Sequence, residues 1–158
     1  MRRFRPDSWD QPELESWLSA LDREIAASKR PPLLVAHSLG ALLVAHWAKH
    51  AIAPVAGAFL VAIPDPDSPV FPREAPTFHH PPTAVLPFPS LIVASTDDPY
   101  GSTDYAHSCG RQWGARVVVA GALGHINVAS GIGDWPWGKA LFRDFAGSHA
   151  DTISAEGF

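Results

Sequence analysis

The chain has 158 residues, 46% of them hydrophobic and 18% charged, with a formal net charge of -4. That balance excludes an intrinsically disordered chain, which combines low hydrophobicity with high net charge, and the length fits a single domain over residues 1–158. Twelve basic against sixteen acidic residues leave no basic stripe of the kind a nucleic-acid binder carries, and one cysteine, Cys109, excludes an internal disulfide.

At the N-terminus, Met1-Arg2-Arg3 leads into Phe4-Arg5-Pro6-Asp7 rather than an apolar core, so no secretion signal is read there. Leu14, Trp17, Leu18, Leu21 and Ile25 recur at about one helical turn and predict an amphipathic helix over 11–28. Asp10 three residues before Glu13 resembles a capping box, with Pro12 tolerated in the first turn. Arg30-Pro31-Pro32 ends this helix, and Leu33-Leu34-Val35-Ala36 follows as a short strand. A strand apolar at consecutive positions is one buried on both faces, as in a parallel sheet.

A second helix is expected over 39–50, entered from that strand by a tight turn. Its apolar run, Ala41 to Ala48, is interrupted by His46 and too short to span a bilayer, so a soluble cytoplasmic protein is expected. Further strands are predicted at 57–62, 91–94 and 117–119, with helices at 102–113 and 136–147. Strand and helix alternate, which predicts a three-layer α/β/α sandwich with a mostly parallel sheet. Nine of the sixteen prolines fall between Pro64 and Pro89. That density predicts a long semi-rigid loop, either a substrate wall or a surface excursion without a role.

The chemistry concentrates where strands end. Ala36-His37-Ser38-Leu39-Gly40 places a serine between strand and helix with small residues two before and two after it. This is the nucleophile-elbow pattern with its first glycine replaced by alanine. The turn strains the serine and aims its hydroxyl out of the carboxyl edge of the sheet, where open α/β folds bind ligands. Bulky neighbours at 36 or 40 would collide. The plainer reading of Ser38 is a helix cap.

A nucleophilic serine needs a base, and the base an orienting acid. The strand ending at Ala94 runs into Ser95-Thr96-Asp97-Asp98-Pro99-Tyr100, which offers two carboxylates, though Asp-Asp-Pro is also good turn chemistry. The strand ending at Val119 runs into Gly121-Ala122-Leu123-Gly124-His125-Ile126-Asn127, placing His125 on a glycine-flanked loop at the same edge.

Ala-His-Ser-Leu-Gly, Ser-Thr-Asp-Asp-Pro-Tyr and Gly-His-Ile-Asn-x-x-Ser-Gly-x-Gly-x-Trp-Pro-x-Gly resemble motifs of the small serine hydrolases related to retinoblastoma-binding protein 9 and YdeN. The resemblance covers residues 7 to 146, and its last motif, 124 to 138, is the most specific. It implies an α/β-hydrolase fold and esterase-like activity on a small ester or related acyl substrate. Ser38 is then the nucleophile, His125 the base and Asp98 the acid. Asp98 is preferred over Asp97 because the family's acid directly precedes proline. Neither metal nor organic cofactor is implied, and the alternative is a binding protein that keeps the triad by descent.

The resemblance departs at the front. Family members open with an apolar strand and a glycine-rich loop, whereas this chain has no glycine before Gly40. Arg2 to Arg5 then corresponds to the family's second strand, and the fold is expected to be N-terminally truncated. The missing loop would give one oxyanion amide, leaving the other to the residue after the nucleophile, Leu39. Leu33 to Ala36 becomes a sheet edge open to self-association, and feeble turnover is expected.

The remaining histidines and tryptophans are read as structural. His46 and His50, at i and i+4, are expected on a solvated helix face. His37 is expected to pack away from Ser38, and Trp135 and Trp137 to pack in the core.

Overall fold

The computed structural model describes residues 2–51 and 53–150. In chain order it contains helix α1 (Leu14–Ala26), strand β1 (Leu33–His37), α2 (Leu39–Ala48), β2 (Gly57–Val61), β3 (Ser90–Ala94), α3 (Thr103–Trp113), β4 (Arg116–Val119) and α4 (Pro136–Ala150). The strands form one parallel four-stranded sheet in the order β1-β2-β3-β4. No helix among the described residues is long and apolar enough to cross a membrane.

Alternation along the strands divides the core in two, because successive side chains point to opposite faces. Ala58 and Leu60 of β2 and Ile92 and Ala94 of β3 join one cluster with Trp17, Leu42 and Trp113, the face covered by α1, α2 and α3. Phe59, Val61, Leu91 and Val93 point the other way and meet Phe142 and Phe145 of α4. Helices therefore lie on both faces of the sheet, giving the α/β/α sandwich.

β2 and β3 are buried at every position, whereas β1 is only partly covered and Val35 is 63% exposed. This follows from β1's place at the end of the sheet, with β2 as its only strand neighbour among the described residues. The expected edge is therefore present. The expected strand remnant at Arg2 to Arg5 is not, since residues 2–6 have no regular structure. Aromatic packing directs that segment to α1 instead: Phe4 and Trp9 meet Trp17 edge-on at 5.5 and 5.4 Å, and Arg2 pairs with Glu24 at 2.8 Å.

α1 begins at Leu14, three residues later than the periodicity suggests. Glu13 is the cap, its carboxylate accepting the Ser16 amide at 3.1 Å, so Asp10 and Pro12 lie ahead of the helix. The proline-rich segment is no excursion. It contains a single 3-10 turn, Pro76–Phe78, and buries Phe71, Phe78, Leu86 and Phe88. Phe78 meets Trp17 at 5.3 Å and His46 at 6.5 Å. His46 is thereby drawn out of solvent, contrary to expectation, and burial lowers its pKa. His50 remains exposed.

Candidate active site

Three loops leave the carboxyl ends of β1, β3 and β4, and each delivers one of the predicted side chains to a common point. Ser38 has φ 57 and ψ -126, a conformation that only a heavily constrained turn imposes on a residue with a Cβ. Its amide donates to the Val61 carbonyl at 3.0 Å, tying the turn to β2. Immediately after it α2 begins, so the Leu39 amide belongs to the first turn, where amides have no partner within the helix. A methyl at position 40 would meet the Ala36 Cβ at 3.6 Å, an ordinary contact. The space admits one extra carbon there, less restrictive than the pattern alone suggests.

Ser38 Oγ lies 2.9 Å from His125 Nε2, and His125 Nδ1 lies 2.9 Å from both oxygens of Asp98. A carboxylate can only accept, so Nδ1 carries the proton and Nε2 presents its lone pair to the serine hydroxyl. The Asp98 and His125 side chains are 2% and 9% exposed, which shields this pair from water. Asp98 Oδ1 also accepts the Tyr100 amide at 2.9 Å. The Tyr100 ring stacks obliquely on His125 at 4.6 Å.

Two further side chains bear on this cluster: His37, which the sequence directed elsewhere, and Asp97, the carboxylate weighed against Asp98 as the acid. His37, expected to point away, donates from Nε2 to the His125 carbonyl at 2.7 Å. Its ring meets that of His125 edge-on at 4.7 Å. His37 remains open to solvent, and partial desolvation of its ring against these neighbours lowers its pKa, an effect the carbonyl bond opposes. Asp97 engages the loop ahead of His125 rather than bonding to its ring. Its Oδ1 accepts the Ser95 hydroxyl at 2.8 Å and the Gly124 amide at 2.7 Å. Those bonds, the serine's first, hold its pKa below the ordinary carboxylate value.

A cleft of about 360 Å³ runs beside Asp98, between residues 65–69 and 98–102. Its outer wall is the start of the proline-rich segment, with Asp65 and Asp67 among its lining residues. Neither Ser38 nor His125 lines this cleft, and a wider one of about 470 Å³ against α1 and α2 is lined by none of Ser38, Asp98 and His125. Trp135 is packed over Gly138, where a Cβ would fall 2.2 Å from the ring, whereas Trp137 is 46% exposed rather than in the core.

A family model described as Serine hydrolase matches residues 1–144. Comparison with curated proteins returns no match. Among solved structures, a YdeN-like hydrolase from Pectobacterium atrosepticum is 30% identical, with a TM-score of 0.79 over 96% of this chain and 77% of that one. The ydeN gene product of B. subtilis is 22% identical with a TM-score of 0.69, covering 86% of this chain and 77% of that one. A monoacylglycerol lipase from Paleococcus ferrophilus shares the fold at 13% identity, with a TM-score of 0.68 over 89% and 76% of the two chains. With the family model spanning most of its length and a YdeN-like relative matching nearly all of it, the chain belongs to the serine hydrolase family and has the α/β-hydrolase fold.

Proposed function

We propose that the chain is a carboxylesterase-like hydrolase that cleaves a small ester or related acyl substrate through Ser38, His125 and Asp98. The observation that carries this reading is the unbroken hydrogen-bonded line from Ser38 Oγ through both ring nitrogens of His125 to Asp98. Ser38 attacks the acyl carbonyl as His125 Nε2 takes its proton, and Asp98 stabilises the imidazolium that forms. The Leu39 amide donates to the oxygen on which negative charge develops. His125 then returns its proton to the leaving group, and a water activated by the same nitrogen releases the acyl group from Ser38.

Family membership favours catalysis over a binding role that merely retains these residues. We place the protein in the cytoplasm and infer that the open edge of β1 lets copies of the chain associate. No nucleic-acid or membrane partner and no cofactor is assigned.

A fluorophosphonate probe tests the central claim. The chain should be labelled covalently, and Ser38→Ala should abolish both labelling and hydrolysis of p-nitrophenyl acetate. Equal labelling of the two proteins would overturn the assignment of Ser38.

A further inference from the structure

The loop that carries His125 is gripped from two sides by side chains that the proposed reaction does not use. On one side stands Ser95, 1% exposed, whose hydroxyl donates to Asp97 Oδ1 and accepts the Leu123 amide at 2.9 Å. The same Asp97 oxygen accepts the Gly124 amide, so the two amides immediately ahead of His125 are both captured. On the other side, His37 donates to the carbonyl of His125 itself at 2.7 Å.

The backbone between these anchors is bent into conformations it would not keep unaided. Gly124 has φ 54 and Ile126 has φ 48. For glycine the left-handed region is ordinary, but a β-branched residue avoids it and persists there only when its surroundings leave no alternative. Ile126 is 5% exposed and packs in the core on the α4 side, which fixes one end of the strained turn. The hydrogen bonds to Leu123, Gly124 and His125 fix the other.

Asp97 and Asp98 are consecutive, so one short turn after β3 holds the loop bearing His125 and also presents the carboxylate that His125 must meet. The separation of acid and base is then set within a single rigid frame rather than by two independently moving loops. Asp97 is itself exposed, so its side chain contributes little apolar burial. Its two side-chain bonds go to Ser95 and to the His125 loop.

We propose that Asp97, acting with Ser95 on one side, and His37 on the other, are positioning residues that hold His125 in reach of Ser38 and Asp98. The inference rests on the reading of His125 as the base. It assigns Asp97 a role in turnover although it is not the triad acid.

The test is steady-state hydrolysis of p-nitrophenyl acetate by the full 158-residue chain, with active sites counted by fluorophosphonate titration. Displacing a reacting group by about 1 Å costs on the order of 10²-fold. Asp97→Ala should therefore lower kcat per titrated site by about 10- to 100-fold with KM little changed. Asp97→Asn keeps the Oδ1 acceptor and should recover most of that loss. His37→Gln, which retains an N–H donor, should likewise outperform His37→Phe. In proton NMR, the low-field resonance of the His125 Nδ1–H should broaden in Asp97→Ala and remain sharp in Asp97→Asn. If Asp97→Ala fails to fold, Ser95→Ala is judged by the same kcat and NMR criteria. Wild-type kcat per site in Asp97→Ala, or equal losses in the Ala and Asn variants, would overturn the clamp. Ser38→Ala separates the two ideas: if it turns over substrate normally, the triad reading fails. If it is dead while Asp97→Ala is unimpaired, the clamp alone fails.

Discussion

A single proton's route sets the demands on individual residues. In the proposed reaction His125 must hold a proton on Nδ1 and none on Nε2, and the two oxygens of Asp98 favour that tautomer. An amide at 98 offers a donor as well as an acceptor and permits the opposite tautomer. Asp98→Asn should lower kcat on the order of 10⁴-fold, the size of the same change in a protease triad. Asp97→Asn should cost far less, and kinetics of the two variants side by side would check the assignment. Acidification bears on His125 and on Asp97 in different ways. Only neutral imidazole can accept the Ser38 proton, so the rate should fall on the acid side as His125 protonates, measured as kcat/KM against pH. Because the folded-state pKa of Asp97 is depressed, its contribution is present above the ordinary carboxylate value and lost only as pH falls through the lowered one. The Asp97 anchor of the His125 loop should therefore persist into acid that would protonate an ordinary carboxylate. Ser38 and His125 were legible because their strand-end contexts are local. His37 was not, because its role depends on which face of β1 it occupies. It shares that face with Leu33, and the face packs on Leu123 and Ile126.

Among the elements, β1 is the one whose composition and setting disagree. Leu33, Leu34 and Val35 read as an inner strand, yet β1 closes one end of the described sheet and leaves Val35 63% exposed. Unpaired edge groups beside an apolar side chain invite another strand, and natural sheets discourage this with lysine. The chain should show concentration-dependent association in analytical ultracentrifugation. Val35→Lys should shift it toward monomer without loss of fluorophosphonate labelling. A wild-type chain that stays monomeric throughout would refute the association. The four strands and four helices were legible because apolar runs and periodicity are properties of neighbouring residues. The start of α1 was misplaced because the N-cap role fell to Glu13, a residue type weakly marked for it, rather than to Asp10. The proline-rich segment was read correctly as irregular. Its burial against Trp17 was invisible because Phe78 is 61 residues away in sequence from the side chain it meets.

For the molecule as a whole, the sheet joins groups that are far apart along the chain: 87 residues separate Ser38 from His125. Such a site forms only when its strands are assembled, and it is only as durable as the most weakly held of them. Ser38 directly follows β1, which is bonded along one side only among the described strands. Edge elements open at lower free energy than central ones. The proposed nucleophile thus hangs from the outermost rung of the ladder, and partial melting should disarm the molecule while most of its architecture survives. On slow heating, capacity for fluorophosphonate labelling should vanish at a lower temperature than the helical circular dichroism signal. Amide hydrogens of Leu33–His37 should exchange with deuterium sooner than those of Phe59–Val61 and Leu91–Val93. Simultaneous loss of label and helix would mean that β1 opens only with the rest of the sheet, making inactivation a faithful gauge of global unfolding.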